Sequence, residues 1–234
     1  MNRKGILYGV GVGPGDPGLV TLRAAEIIRA CPVLAAPVSG SGRILAWEIA
    51  SRAVPEAAGK ELLRLDFPML RDREALDRSH DRAAAQVMEV LDSGRDVAML
   101  NLGDPSIYAT YSYLQSRVLA AGGYEVETIP GVPSFCAVAA RLNQSLTKAH
   151  LPFHVVPAGY PGLARALEAP GAKVVMKAGK EAREVRQLLE TLPGNHTARM
   201  VRDCGLPTER VWEDLAQAEE DAGYFATILV KEED

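Results

Sequence analysis

Gly9-Val10-Gly11-Val12-Gly13-Pro14-Gly15-Asp16-Pro17 is the stretch that decides the fold of this 234-residue chain. It follows a short apolar run, Ile6-Leu7-Tyr8, and precedes a helix-like segment that begins near Thr21. Glycine lets the backbone pass close to a ligand and adopt positive φ, whereas proline fixes φ and removes an N–H donor. The stretch therefore predicts a stiff loop at the end of a strand.

Two further loops of this kind follow along the chain. Asn101-Leu102-Gly103-Asp104-Pro105-Ser106-Ile107-Tyr108 comes directly after an apolar strand candidate at residues 97–100, and Pro130-Gly131-Val132-Pro133-Ser134 comes after another at residues 124–129. Two Gly-Asp-Pro turns thus end two predicted strands. Any one such loop is explained by chain turning alone, because Gly, Pro and Asp are common turn residues.

Residues 13–18 also satisfy the dinucleotide fingerprint G-x-G-x-x-G. That fingerprint needs a helix opening within it and an acidic residue about 20 positions later, and neither is apparent. Asp16 would repel a phosphate at this turn. A P-loop is excluded because no Gly-Lys-Ser or Gly-Lys-Thr follows. The remaining interpretation is a loop that accommodates a ligand without phosphates.

Short apolar runs that end in glycine or proline alternate with helical patterns, which predicts an α/β architecture with much parallel sheet. The first helix is expected to use Thr21 as its cap and to bury Leu22, Ala25 and Ile28. Further helical patterns cover residues 83–91 and 181–192. The strand candidates are residues 6–8, 33–35, 97–100, 124–129, 154–157, 173–176, 198–202 and 225–230.

The three loops, in this order and spacing, resemble the tetrapyrrole methylase family. Its members pair an N-terminal GxGPGDPxLLT loop with a central GDP loop and a later PGV or PGI loop, and the match covers nearly the whole chain. Residues 102–114, 67–69 and 175–177 are similar to the branch that methylates the meso carbon C(20) of precorrin-2 or cobalt-factor II. The sequence leaves open whether the substrate is the metal-free or the cobalt-bearing macrocycle. Uroporphyrinogen-III C-methyltransferase is the alternative within the family.

The resemblance implies a class III methyltransferase-like fold: two α/β domains with mostly parallel sheets and a cofactor cleft between them. Residues 1–128 would form an N-terminal domain with the macrocycle and cofactor loops. Residues 129–234 would form a C-terminal domain with cofactor and dimer contacts. The implied cofactor is S-adenosyl-L-methionine, with S-adenosyl-L-homocysteine as its product, and the implied assembly is a homodimer.

Site residues follow from the same resemblance. The residues that fall on family cofactor positions are Pro14, Gly103, Asp104, Ile107, Pro133, Ser134, Met176, Lys177, Cys204, Ala226 and Thr227. Either Met176 or Lys177 would face the ligand. The meso proton has to leave during the reaction, and Tyr108, Tyr111, Tyr113 or Asp104 would assist, although water would also serve.

The implied macrocycle carries many carboxylates, for which arginines are natural receptors. Arg71, Arg73 and Arg43 are the candidates. Acidic residues are interleaved with the arginines around residues 64–82, so a self-paired, solvated helix face is the competing interpretation.

Composition favours a protein of the cytoplasm. The net charge of -4 offers no field for nucleic acid or an anionic membrane, and no apolar run is long enough to span one. Three widely spaced cysteines support neither a disulfide framework nor a metal site, and the four histidines show no metal-binding spacing. We expect no metal held by the protein.

Overall fold

The structure is a computed structural model that describes residues 3–40, 42–68, 72–219 and 221–232. The chain divides into two compact units, Met1–Pro133 and Ser134–Asp234. The division follows Pro133, whereas the boundary expected from the sequence falls after residue 128. Each unit contains one five-stranded sheet.

The sheet of the first unit is parallel in every strand pair, with the order β3-β2-β4-β1-β5. Parallel strands buried on both faces read as continuous apolar runs, which is why β1, β2 and β4 were recognisable in the sequence. The strands are β1 (Ile6–Gly11), β2 (Val33–Val38), β3 (Glu61–Asp66), β4 (Val97–Asn101) and β5 (Glu125–Ile129).

Helices cover both faces of this sheet. One face packs against α1 and α2, and the opposite face packs against α3 and α4, so the unit has three layers. Side chains alternate between the layers: Leu100 lies in the first core and Met99 in the second. The helices are α1 (Leu22–Ala30), α2 (Leu45–Ala53), α3 (Arg73–Asp92) and α4 (Tyr111–Ala121).

Helix α1 begins where its cap predicts. Thr21 has extended backbone, and its side-chain oxygen accepts a hydrogen bond from the Ala24 N–H at 3.1 Å. The expected buried face was wrong in part, since Leu22 is 86% exposed. Of the three residues expected on that face only Ile28 is fully buried, and it is joined there by Ala24 and Ile27.

The second unit has a mixed sheet with the order β6-β7-β10-β8-β9. Only β6 and β7 pair in parallel, and the other three pairs are antiparallel. The expectation of mostly parallel sheets therefore holds for the first unit alone. The strands are β6 (Phe153–Pro157), β7 (Ala172–Met176), β8 (His196–Arg202), β9 (Arg210–Trp212) and β10 (Ala226–Glu232), and the helices are α5 (Ser134–Arg141), α6 (Leu163–Glu168) and α7 (Ala182–Thr191).

Gly9 and Tyr111 form one close contact at the centre of the first unit. The Tyr111 ring is 1% exposed and lies against β1, where a Cβ on Gly9 would be 2.2 Å from the ring carbon Cζ. Its hydroxyl lies 3.3 Å from Thr128 Oγ1 and 3.4 Å from the Glu127 carbonyl oxygen, both on β5. The missing side chain at Gly9 thus makes the space that Tyr111 fills.

Gly9→Ala is expected to lower the free energy of unfolding by about 1–3 kcal/mol, because the new methyl group overlaps a buried ring that cannot move without disturbing the core. Urea denaturation of both proteins measures the difference. Gly59→Ala is the matched control, because a Cβ at Gly59 meets nothing within 4 Å. Equal stability of the two variants would contradict the proposed packing.

Candidate active site

The glycine-rich loops of the first unit meet at the carboxyl edge of its sheet. Strands β4, β1 and β5 are neighbours there, so the segments that follow them are brought side by side. The Gly103 N–H donates to the Gly13 carbonyl oxygen at 2.8 Å, forming an isolated bridge between the first two loops. The structure therefore brings together the three motifs that the sequence singled out.

Backbone lies against backbone at this junction. A Cβ on Gly131 would lie 2.2 Å from the Gly103 carbonyl oxygen, and a Cβ on Gly11 would lie 2.6 Å from the Gly131 Cα. Gly13 and Gly103 also have φ of 73° and 71°, a region that side chains disfavour. No residue with a side chain fits these positions without moving the neighbouring loop.

Asp104 fastens the central loop to the third loop. Its Oδ2 accepts from the Gly131 N–H at 2.9 Å, and its Oδ1 accepts from the Ser106 N–H at 2.8 Å. Burial raises the pKa of this carboxyl. The hydrogen bonds from Ser106 and Gly131 lower the pKa by more than burial raises it, so the pKa lies below its usual value. A carboxylate with a lowered pKa is a poor proton acceptor at neutral pH, which favours a structural role for Asp104 over the catalytic one suggested from the sequence.

The remaining first-unit residues of the predicted cofactor set surround this junction. Pro14 is buried, Ile107 and Pro133 are half-buried, and the Ile107 N–H donates to the Asp104 carbonyl oxygen at 3.2 Å. Asp16 caps the short 3-10 turn Pro17–Leu19 by accepting from the Gly18 N–H at 2.8 Å. A carboxylate occupies the turn where a dinucleotide fingerprint would hold phosphate.

Two of the tyrosines suggested as catalytic residues, Tyr111 and Tyr108, have different surroundings. Tyr111 is buried in the core, and burial raises the pKa of its phenol. Its hydroxyl contacts β5, so we assign it a packing role and withdraw the catalytic one. Tyr108 follows the Asp104 turn, is 48% exposed and has a φ of 48°. Non-glycine residues in this region often mark functional loops.

The second-unit residues of the cofactor set gather at one edge of the mixed sheet. Met176 ends β7 and pairs with Thr227 at the start of the antiparallel β10. Ala226 pairs with Arg202 at the end of β8, two residues before Cys204. Antiparallel pairing thus places the carboxyl ends of β7 and β8 beside the amino end of β10. Ser134 begins α5.

Two residues at this edge have left-handed backbone. Lys177 follows β7 with a φ of 58°, and Asp203 follows β8 with a φ of 51°. Both are half-buried, and the Lys177 Nζ lies 5.4 Å from the centroid of the Tyr224 ring. Such backbone costs about 1–3 kcal/mol and recurs at ligand-binding loops. This independent observation supports the edge as a candidate ligand site.

Two of the three predicted substrate arginines lie within the described residues. Arg43 pairs with Glu48, with 3.2 Å between Nε and Oε1. Arg73 is the exposed first residue of α3, and Arg71 lies outside the described residues. Acidic side chains of α3 form ion pairs within the unit. Arg117 of α4 contacts Asp77 at 3.2 Å and Asp81 at 2.6 Å.

Glu209 fixes the loop that carries Cys204, and the sequence did not reveal it. It accepts hydrogen bonds from the Gly205 N–H at 2.8 Å and from the Arg141 Nε at 2.5 Å. Its distance of five positions from Cys204 matches neither helix nor strand periodicity. Among residues 3–40, 42–68, 72–219 and 221–232, no three His, Cys, Asp or Glu side chains come together as a metal-binding group. Within those same ranges no helix is long and apolar enough to cross a membrane.

Fold and site together define a two-domain α/β protein whose candidate ligand contacts come from loops at strand ends. The chain belongs to the tetrapyrrole (corrin/porphyrin) methylases, whose family model matches residues 6–219. The resemblance noted in the sequence is thereby confirmed.

Individual relatives resemble the chain over its full length. A cobalt-precorrin-2 C(20)-methyltransferase of Salmonella typhimurium is 30% identical over all of this chain and 98% of its own. A precorrin-2 C(20)-methyltransferase of a Sinorhizobium species is 29% identical over 97% of this chain and 95% of its own. The crystal structure of uroporphyrin-III C-methyl transferase from Thermus thermophilus, complexed with S-adenyl homocysteine, superimposes with a TM-score of 0.70 at 24% identity, covering 96% of this chain and 97% of that one.

Asp104→Ala is expected to lower the free energy of unfolding by about 1–3 kcal/mol, because it removes the acceptor of two partly buried N–H groups. The folded-state pKa is depressed, so this contribution is present above the ordinary aspartate pKa of about 3.9 and is lost as pH falls through the lower folded value. Denaturation midpoints between neutral and acid pH measure it.

Asp16→Ala is the matched control, because this exposed Asp also precedes a proline in a Gly-Asp-Pro turn but holds a single local N–H. Its effect is expected to be much smaller. An equal loss in both variants would show that Asp104 acts as a local turn cap and does not join two loops.

Proposed function

We propose that this protein transfers a methyl group from S-adenosyl-L-methionine to the C(20) meso carbon of precorrin-2 or its cobalt-bearing counterpart, in the synthesis of the cobalamin corrin ring. One observation carries the proposal: the chain aligns over its full length with relatives named for this reaction. The two relatives differ in the metal content of the named substrate and are almost equally similar to the chain, so their identities do not choose between the two macrocycles.

The chemistry of the first-unit edge supports S-adenosyl-L-methionine as the methyl donor. The donor carries a sulfonium cation and no phosphate. At this edge Pro14, Pro17 and Pro105 lack N–H donors, and Asp16 and Asp104 add negative charge. Phosphate would be repelled here, whereas a cationic ligand is tolerated. The similar fold that holds S-adenyl homocysteine adds support.

In this proposal the residues of the chain supply orientation more than acid–base strength. The donor contributes an electrophilic methyl group, and the C(20) enamine carbon of the reduced macrocycle is already nucleophilic. Proximity and alignment can lower such a barrier by about 7–11 kcal/mol. The Gly11, Gly103 and Gly131 backbone, fixed by Asp104, would contact the donor. The other residues proposed to bind it follow from the family resemblance: Pro14, Ile107, Pro133, Ser134, Met176, Lys177, Cys204, Ala226 and Thr227.

The meso proton leaves after methyl transfer, and Tyr108 is the side chain we propose to assist. It is exposed, unlike Tyr111, and it directly follows the loop that contains Asp104. Arg71, Arg73 and Arg43 remain the proposed carboxylate receptors. For Arg43 the structure adds a condition, because substrate binding would have to replace its pairing with Glu48.

We also propose a homodimeric protein of the cytoplasm. Its three cysteines are free, as the reducing conditions of that compartment require. The dimer rests on the family resemblance. Sedimentation of the purified protein at micromolar concentration tests it, and a monomer would contradict it.

The decisive experiment is an anaerobic assay with S-adenosyl-L-methionine and either precorrin-2 or cobalt-factor II, reading the product mass and the position of the new methyl group. Methylation at C(20) is expected, and the preferred substrate identifies the natural macrocycle. Uroporphyrinogen III serves as the competing acceptor, since the similar Thermus thermophilus structure is named for that substrate. Its methylation, with no turnover at C(20), would replace the proposal by that alternative.

Tyr108→Phe is expected to lower kcat at least tenfold while the affinity for S-adenosyl-L-homocysteine is unchanged, because proton transfer by a positioned group contributes about 10²–10⁴ in rate. Tyr113→Phe is the matched control: both tyrosines are 48% exposed, and Tyr113 stacks on His80 through its ring, which phenylalanine keeps. Unchanged turnover in Tyr108→Phe would leave proton removal to water.

A further inference from the structure

Arg202 ends β8 with a side chain that is 21% exposed and can therefore be reached by a ligand. Among the described residues, no group accepts a hydrogen bond from its buried Nε–H. Its ion-pair partner is Asp203, whose Oδ2 lies 3.5 Å from that nitrogen and also accepts from the Thr208 hydroxyl at 2.8 Å. Buried donors without an acceptor are uncommon in folded proteins, so this one calls for an explanation.

Two exposed aromatic rings lie beside Arg202. Tyr224 is 42% exposed and Phe225 is 44% exposed, and their ring centroids are 5.2 Å apart at an interplanar angle of 76°, the favourable edge-to-face arrangement. Gly223, directly before them, lies against the arginine, since a Cβ there would be 3.4 Å from the Arg202 Cδ. Exposed apolar side chains that contact one another indicate a binding surface more strongly than scattered ones do.

Backbone contacts on two sides fix the segment that carries these rings. The Ala222 N–H donates to the Gly179 carbonyl oxygen at 3.0 Å, and the Phe225 carbonyl oxygen accepts from the Asp203 N–H at 3.2 Å. Gly179 also lies against Gly223, because a Cβ on Gly179 would be 1.7 Å from the Gly223 carbonyl oxygen. The rings and Arg202 therefore form a surface that exists before any ligand binds, as ligand sites usually do.

A second cation lies beside the rings. The Lys177 Nζ is 5.4 Å from the centroid of the Tyr224 ring. The acids of this edge already accept hydrogen bonds from the chain: Asp203 from the Thr208 hydroxyl, and Asp221 from the Gly223 N–H at 3.0 Å. Aromatic faces flanked by a guanidinium and an ammonium group suit a ligand that has both flat apolar rings and carboxylates.

The two ligands of the proposed reaction differ in this respect. The methyl donor carries a sulfonium and an ammonium group against one carboxylate, so its net charge is positive and two cations repel it. The macrocycle carries many carboxylates around pyrrole-derived rings. Charge therefore favours the macrocycle as the occupant of this surface.

We propose that Arg202 and Tyr224 bind the tetrapyrrole substrate: the guanidinium pairs with one of its carboxylates, and the tyrosine ring stacks on a pyrrole-derived ring. The inference rests on the proposed function, because it takes the substrate to be such a macrocycle. Arg202 thus joins Arg43, Arg71 and Arg73 as a carboxylate receptor, and it is the one that carries an unused buried donor within the described residues.

The test titrates the full chain with uroporphyrin, a stable tetrapyrrole that bears many carboxylates, and follows the porphyrin fluorescence. Arg202→Gln is expected to raise the Kd about tenfold, because it removes a charge-assisted hydrogen bond. Arg199→Gln is the matched control: Arg199 lies three residues earlier, on the opposite face of β8, and pairs with Glu213 at 3.2 Å. Equal Kd values for the two variants, or no binding by the wild-type protein, would overturn the inference.

The ring has its own pair of variants. Tyr224→Leu is expected to raise the uroporphyrin Kd about two- to tenfold, whereas Tyr224→Phe keeps the stacking face and the affinity. The Kd for S-adenosyl-L-homocysteine is expected to stay unchanged in Arg202→Gln and Tyr224→Leu, which also shows that both variants fold. An equal weakening of both ligands would assign the surface to the methyl donor or to the fold, and the inference would fail.

The methylation assay separates this inference from the proposed function. If the wild-type protein methylates C(20), Arg202→Gln is expected to raise the KM for the macrocycle about tenfold while kcat changes little, because the carboxylate contact is the same in the ground state and the transition state. An unchanged KM would overturn the inference and leave the proposed function standing. Uroporphyrin binding that depends on Arg202, in a protein that methylates neither precorrin-2 nor cobalt-factor II, would overturn the proposed function and keep the tetrapyrrole surface.

Discussion

Backbone contact between three loops is the constraint on which the first unit depends. Parallel pairing delivers the ends of β4, β1 and β5 to one edge, but only glycines at positions 11, 103 and 131 let the loops touch there. Asp104 then joins the central loop to the third by a charge-assisted hydrogen bond, which is stronger than a neutral one. A glycine junction alone would be flexible; the carboxylate makes it a fixed surface of backbone groups.

The second unit shapes the edge of its own sheet by a different means. Left-handed backbone at Lys177 and Asp203 turns the chain sharply just after the ends of β7 and β8. The Glu209 carboxylate fixes the second of these loops by accepting from the Gly205 N–H and from the Arg141 Nε. The first unit thus presents mostly backbone groups at its sheet edge, and the second presents mostly side chains.

Much of this organisation was predictable because its signals are local. The apolar runs of buried strands and the three loops in family order indicated the architecture of the first unit and the family. The strands Glu61–Asp66 and Arg210–Trp212 were missed because charged residues interrupt the apolar run of the first and the second is only three residues long. The contacts of Asp104 with Gly131 and of Glu209 with Arg141 join residues that are distant in the sequence, and no local spacing rule encodes such contacts.

The position of β10 has a consequence for folding during translation. This strand occupies the middle of the second sheet, between β7 and β8, although it is the last strand along the described chain. As the ribosome releases the chain from its amino end, the first unit can assemble its sheet while the second still lacks its central strand. Until residues 226–232 emerge, β7 and β8 each have an unpaired edge, because their shared partner strand is missing. Nascent chains are therefore exposed to mispairing until this strand, which also carries Ala226 and Thr227, has emerged.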